Sequence, residues 1–553
     1  MLRTANQLIL SGIALGLLAG FLNAEPIRTF VNEKDEKKFR ITDNEELHRL
    51  YLKGIHQAFS WDYEASRKTF EELIEKDPDN PAGDYFMGAL TLNTIQYLDP
   101  QDTGDMEKFL YKSLETAIKK ADAILKKRPK DFQAIFWKGV SRGFRGILRL
   151  QKGQFLSAAS DARVAKGLMD EAIKLKPDFY DAYLGVGMYQ YFMGALPAVV
   201  KILKMFLFVP GGSKDKGLEY ITLAARKATY SNTYGIVVLA GIYRNFDPDF
   251  DKALELENRL RNLYPSHPWY ALERGSLFVY SMKDFNRGEE VYREIVERCK
   301  KGERNFSGEI SFIARYRFAK TKYLNLKPLE AMADLEALLK ENPEEPREAL
   351  SATHLLMGEI HLKLGNSDKA KEHLQKVMAL PDSKTYRHER MDNRVIIPVQ
   401  LGLHSMAKRL LEQPALKNSA ETFRLTTGGY AELRKGNAER AKKNFEAALT
   451  VWKGYDLAIL GLSEALVKLE EFEGAQVQYK RIAKMNHSQP AWALTEACLR
   501  YGLLLDRAGR RDAAVAHYLK AARMKTGNHF HRKLASQLAK KKDLWKDTDW
   551  PGL

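Results

Sequence analysis

From about residue 46 to residue 526, small and large apolar residues return at helical spacing between short polar breaks, which predicts a succession of paired helices. The spacing repeats. Gly436, Ala441, Phe445 and Ala448 stand 7, 12, 16 and 19 positions after Gly429. Gly365, Ala370, Leu374 and Val377 stand in the same relation to Gly358, and Gly509, Ala514, Tyr518 and Ala521 to Gly502. Ser463, Ala475, Tyr479 and Ile482 keep the frame without its middle glycine. Gly54, Ser66, Phe70, Leu73 with Pro78, and Gly241, Ala253, Leu260 with Pro265, extend it toward the N-terminus. Small residues such as Gly429 and Ala441 mark where two helices cross, because a larger side chain would push the axes apart. The large residue four positions on fills the gap toward the next pair. Pro78, Pro129, Pro177, Pro265 and Pro343 end the second helix of each pair, since proline cannot continue the hydrogen-bond ladder.

This frame resembles the tetratricopeptide repeat family, whose unit of 34 residues is a helix–turn–helix. Clear units fall at 47–80, 351–382, 422–453, 456–488 and 495–526; between 82 and 233 the spacing stretches and longer helices are expected. The resemblance implies an all-α, right-handed α-solenoid of about ten to twelve helix pairs. It also implies a non-catalytic protein-interaction scaffold that holds partner segments along a concave face, where each first helix offers exposed side chains. Chaperone adaptors of the family clamp a terminal carboxylate with Lys and Asn. The matching positions here are Leu355 and Glu359, Thr426 and Tyr430, and Leu499 and Leu503, so that clamp is not carried over. The expected organisation is an export signal at 1–24, a flexible lead-in at 25–45, an irregular repeat block at 46–300, a second block at 301–526, and a capping helix and tail at 527–553. Polar connectors are expected at Lys301–Gly308 and between Pro381 and Pro398.

Composition agrees with a helical chain: 45% of residues are hydrophobic, 29% charged, and only 19 are proline. Two cysteines, Cys299 and Cys498, exclude a disulfide framework and a cysteine-rich zinc module. The N-terminus carries Arg3 and an apolar run from Leu8 to Leu22, then Asn23-Ala24-Glu25. That pattern fits an export signal ending at Ala24, or an uncleaved N-terminal anchor, and places the chain in the periplasm, secreted, or held at the membrane. A net charge of +17 favours acidic partners or anionic surfaces. Export argues against nucleic acid as the partner.

Local chemistry is sparse. Gly139-Val140-Ser141-Arg142-Gly143 matches a nucleophile elbow but continues a helical pattern without the strand that motif needs. Asp247-Pro248-Asp249-Phe250-Asp251 suggests a calcium loop, yet Lys252 and Asn258 stand where its Gly and Glu belong, so a helix-entry turn is expected. His529-Phe530-His531 has no third zinc ligand at motif spacing and reads as exposed tail. No catalytic, cofactor-binding or metal-binding residue is assigned, and no cofactor is expected. Two surface features remain. Lys138, Arg142, Arg145, Arg149 and Lys152 step by 4, 3, 4 and 3 positions and form one helical stripe, with Gly139, Gly143 and Gly146 alongside to admit another helix or a ligand backbone. The stripe is a solvated face or a groove for an acidic ligand. The segment Leu196–Val209, with Val199, Leu203, Phe206 and Phe208, reads as an apolar contact helix. At about 1.5 Å per residue it spans roughly 20 Å, too short to cross a ~30 Å hydrocarbon core, so it is buried or meets a partner or the membrane surface peripherally.

Overall fold

A computed structural model describes residues 37–548, apart from 96–103, 196–210, 342–346, 381–402, 413–416, 486–487 and 489. The expected apolar contact helix and the 381–398 connector lie outside the described residues, as does the N-terminal segment. The described residues contain twenty-four α-helices and no strand. The chain is an all-α repeat solenoid.

Two compact units divide at Glu273/Arg274. The first carries the pairs α1 (Glu45–Phe59) and α2 (Tyr63–Lys76), α3 (Pro81–Ile95) and α4 (Gly104–Lys127), and α5 (Phe132–Gln151) and α6 (Phe155–Leu175). It continues with α7 (Asp181–Ala195) and α8 (Lys214–Lys227), then α9 (Asn232–Asn245) and α10 (Phe250–Leu263). Helix α11 (Pro268–Ser276) carries the division and runs on as a π-turn, Leu277–Ser281. The second unit holds α12 (Phe285–Lys300), α13 (Gly308–Leu324) with α14 (Pro328–Glu341), α15 (Arg347–Leu364) with α16 (Ser367–Ala379), and the short α17 (Leu403–Leu411). It ends with α18 (Lys417–Arg434) and α19 (Ala438–Val451), α20 (Asp456–Lys468) and α21 (Phe472–Ala483), α22 (Trp492–Arg507) and α23 (Arg511–Arg523), and a last helix α24 (His529–Lys540). The polar stretch Lys301–Gly308 is a connector between α12 and α13 inside the second unit. The long helices expected between 82 and 233 are α4, α5 and α6, of 24, 20 and 21 residues. Pro78, Pro129, Pro177 and Pro265 each follow a helix end by one or two residues.

The crossing residues are where the frame puts them. A Cβ on Gly429 would lie 2.6 Å from the Phe445 ring, one on Gly502 2.5 Å from Tyr518, and one on Gly358 2.7 Å from Leu374. The Phe445 ring also abuts Gly461 of the next pair, so a single side chain fills both the crossing and the gap between pairs. At Gly54 the ring of Phe70 takes the same place, and Ser66 Oγ donates to the Gly54 carbonyl at 2.8 Å.

The turn seven positions on is equally regular. Trp61, Gly153, Lys283, Leu326, Gly365, Gly436, Glu470 and Gly509 all have φ between +55° and +83°. Each follows a small residue by seven: Gly54, Gly146, Ser276, Ala319, Gly358, Gly429, Ser463 and Gly502. The left-handed residue closes the first helix; at Gly436, for example, its N–H donates to Leu433 O at 3.1 Å and the next N–H to Glu432 O at 2.9 Å. Four of the eight are not glycine, and bear a strain of about 1–2 kcal/mol each. Three of these units, starting at Gly146, Ser276 and Ala319, add to those read from the sequence.

The two helices of a pair differ in what they bury. Several first helices are buried nearly all round: α9 continuously over Thr233–Ile242, α20 over Leu457–Leu466 and α22 over Ala493–Asp506, whereas α1 and α5 keep a polar face. The second is amphipathic and buries one stripe, as α19 does with Ala438, Ala441, Phe445 and Ala448.

The strained turns give the first test. Gly436→Ala should destabilise the chain by about 1–2 kcal/mol, because alanine pays the left-handed cost that glycine avoids. Glu470→Gly should be neutral or stabilising by up to about 1 kcal/mol, relief of strain exceeding the ~0.5–1 kcal/mol entropic cost of the added glycine. Urea denaturation of both variants checks this; a loss at Glu470→Gly equal to that at Gly436→Ala would refute the shared turn geometry.

Candidate functional site

The basic stripe lies on α5, whose first turn is capped by Asp131 accepting from Ala134 N at 3.0 Å. The glycines beside it face α6. A Cβ on Gly139 would collide with Met169, and one on Gly146 would sit 3.1 Å from the Cβ of Asp161. This close approach drives Asp161 of α6 into the stripe. Arg142 Nη1 meets Asp161 at 2.8 Å, Arg145 meets it through Nε at 2.9 Å and Nη2 at 2.7 Å, and Arg149 Nη1 at 2.8 Å. The carboxylate is wholly buried, and the three guanidiniums are 8–25% exposed. Arg145 also reaches Glu115 at 3.1 Å, and Arg149 donates to Tyr111 Oη at 2.7 Å, both on α4. Burial opposes the charge on Asp161, but hydrogen bonds from Arg145 and Arg142 outweigh it and hold the carboxyl below the usual range. Lys138 pairs with Asp122 at 2.6 Å and Lys152 with Glu107 at 3.1 Å.

All five stripe cations are therefore engaged by carboxylates of the chain itself. The stripe, read as a solvated face or a groove for an acidic ligand, forms a three-helix ion network in the fold, because the glycines admit α6 and bring its own acid with it. Of the candidate contact residues, Val199, Leu203, Phe206 and Phe208 lie outside the described residues.

Other motifs resolve locally. Gly139-Val140-Ser141-Arg142-Gly143 lies within α5. Asp249 caps α10, accepting from Lys252 N at 3.2 Å, and Asp247 accepts from Tyr191 Oη at 2.7 Å. The expectation of exposed tail histidines is corrected: His529 and His531 are half-buried at the start of α24, and His531 Nδ1 lies 2.8 Å from Glu496 Oε2. Burial pushes the Cys498 thiol up to about 11, and raises that of Cys299 as well.

One cluster was not visible in the sequence. Arg500 on α22 is fully buried between Glu464 of α20, at 2.5 Å, and Glu496 of its own helix. Tyr479 donates to Glu464, and His531 closes the network on Glu496. Burial opposes ionisation of Glu496, yet the charges of His531 and Arg500 hold its carboxyl at about 2. This network lies where side chains exposed by the first helices were expected. At α20 and α22 that expectation fails, since both are covered on every side. Among the described residues, no group of three His, Cys, Asp or Glu side chains is arranged to hold a metal ion, and no helix is long and apolar enough to cross a membrane.

Models of the tetratricopeptide repeat match residues 432–498, 351–382 and 495–528. No curated protein matches the chain. Solved structures with similar arrays include the P58(IPK) TPR domain, with 14% identity over 79% of this chain and 95% of that one and a TM-score of 0.22. A human IFIT1 dimer with m7Gppp-AAAA shares 15% identity over 88% of this chain and 96% of that one, with a TM-score of 0.25. The APC/C hetero-tetramer Cut9-Hcn1 shares 13% identity over 90% and 96%, with a TM-score of 0.21. At these scores the likeness carries no argument about ligands.

Two outcomes follow from the ion networks. Asp161→Asn should cost about 3–5 kcal/mol, because three close-packed arginines lose their common counter-charge; a loss below about 0.5 kcal/mol in urea denaturation would show the network to be incidental. For Glu496 the folded carboxyl titrates below its unfolded value. Its contribution is present above the normal range near pH ~4.3 and is lost as pH falls toward about 2. Stability measured from pH 6 downward should therefore fall more steeply in the wild type than in Glu496→Gln.

Proposed function

Because tetratricopeptide repeat models match residues 351–382 and 432–528, we propose that the chain is a non-catalytic protein-interaction scaffold of the cell envelope. The observation that carries this reading is the division of labour within each pair. First helices such as α9, α20 and α22 are buried nearly all round, and amphipathic second helices leave their outer faces and turns accessible. Large apolar side chains stand exposed there, among them Phe109 on α4 and Phe155 and Leu156 at the start of α6, the last 71% accessible. Phe109 and Leu156 flank in sequence the exposed Lys152–Glu107 pair, which gives apolar contacts a polar rim of the kind protein interfaces use. Envelope placement rests on the export-type pattern of Arg3, Leu8–Leu22 and Ala24. Removal of residues 1–24 leaves +16, since Arg3 is the only charge lost, and that surplus favours fast association with acidic partners.

Two measurements test the reading. N-terminal sequencing of the chain from envelope fractions should begin at Glu25; a start at Met1 would favour a membrane-anchored adaptor. Immobilised residues 25–553 should retain a protein from envelope extract saturably, and Leu156→Ser with Phe109→Ser should weaken retention by about tenfold, roughly 1.4 kcal/mol. Failure to retain any protein above an inert control would overturn the scaffold function.

A further inference from the structure

The repeat formed by α15 and α16 differs from the others at one crossing. Positions three and fifteen after the small residue face each other across the pair. Gln57 and Thr69 occupy them in the first repeat, with a hydrogen bond of 2.6 Å, and Lys322 and Asp334 in another, with an ion pair of 2.7 Å. In the α15/α16 repeat these positions are His361 and His373, and His354 stands one turn before Gly358 on the same face. Three of the chain's twelve histidines thus gather at this crossing. The His373 ring lies between the other two, 5.2 Å from His354 and 5.6 Å from His361 by ring centroids, and stacks on the latter.

The first pair is aimed nitrogen to nitrogen. His354 Nδ1 and His373 Nδ1 are 2.9 Å apart, each ring half-buried with an edge open to solvent. His361 takes a different role: Asn366 Nδ2 lies 3.4 Å from its Nδ1, and its buried ring stacks on His373. Burial, with Lys376 adding its charge, lowers both facing imidazoles to about 4, so both are neutral at pH 7. Two neutral imidazoles with facing Nδ1 atoms can share one proton or ligate one cation. Zinc binds nitrogen at about 2.0–2.1 Å in tetrahedral geometry, which sets two ligand nitrogens roughly 3.3 Å apart. Opening the present gap by about 0.4 Å is within the reach of χ rotations at half-exposed side chains. Glu372, beside His373 and now bonded to Lys376 Nζ at 2.7 Å, is the neighbouring acid that could turn to a bound cation.

We propose that His354 and His373 form a two-nitrogen site for a borderline divalent transition metal, zinc in the first instance, that ties α15 to α16. Imidazole ligands suit zinc, nickel and copper over magnesium or calcium. Solvent completes the coordination, and His361 shields the site without ligating.

The test uses untagged full-length chain freed of metal with EDTA and titrated with zinc chloride by calorimetry. One equivalent should bind, and the melting midpoint should rise with zinc concentration, as for any ligand of the folded state. His354→Gln and His373→Gln should each weaken binding at least tenfold, whereas His361→Gln should stay within about threefold. No binding by the wild type at about 100 μM zinc, or equal binding by the His354→Gln/His373→Gln double variant, overturns the proposal. Helicity in EDTA shows whether the variants fold. If they do not, cobalt(II) added to the wild type decides: tetrahedral visible absorption supports the site, and an unchanged aquo-ion spectrum refutes it.

Discussion

The array rests on how closely the first helix of a pair can approach the second. At Gly54, Gly358, Gly429 and Gly502 the approach is so tight that a single added carbon would strike a ring or a leucine. The large residue sixteen positions later occupies the vacancy, and Phe445 touches the small residue of the following pair as well. At Phe445, packing within a pair and packing between pairs are therefore one contact, which ties that repeat to the next. The left-handed turn residue nine positions before it sets the angle at which the second helix returns. That requirement is strong enough to hold Trp61, Lys283, Leu326 and Glu470 in a conformation they disfavour.

Close approach also decides where charge goes. A chain with 88 basic and 71 acidic side chains could carry its surplus anywhere. Its densest helical stripe is nonetheless neutralised within the fold, because guanidiniums drawn between α4, α5 and α6 lose water and need a carboxylate in return. Arg500 shows the same logic in the second unit, where a helix apolar nearly all round accommodates one cation by surrounding it with Glu464 and Glu496. Such networks fix the register between helices. Both α20 and α22 are buried along nearly their whole length.

An array built this way leaves second helices and turns accessible. First helices such as α9, α20 and α22 are buried, while side chains such as Leu156 on α6 stay exposed. The histidines of the α15/α16 repeat occupy crossing positions that other repeats fill with an ion pair or a polar contact. Rigid presentation is what lets two imidazole nitrogens face each other at a defined distance.

By itself the sequence determined the fold class, the repeat frame and five unit positions, because glycine, alanine and aromatic residues at fixed offsets leave few other ways to pack. It missed the units starting at Gly146, Ser276 and Ala319; in the last two neither the small residue nor the turn residue, Lys283 or Leu326, is glycine, and strain substitutes for composition. It placed Lys138, Arg142, Arg145 and Arg149 along one helix, of which Lys152 is the C-cap. Only the tertiary structure decided what those side chains meet. Helical spacing specifies which side chains point together, but the identity of their partners depends on the axial register of the next helix. That register is set by contacts such as Gly146 against Asp161, between residues whose relation no periodicity within one helix can express.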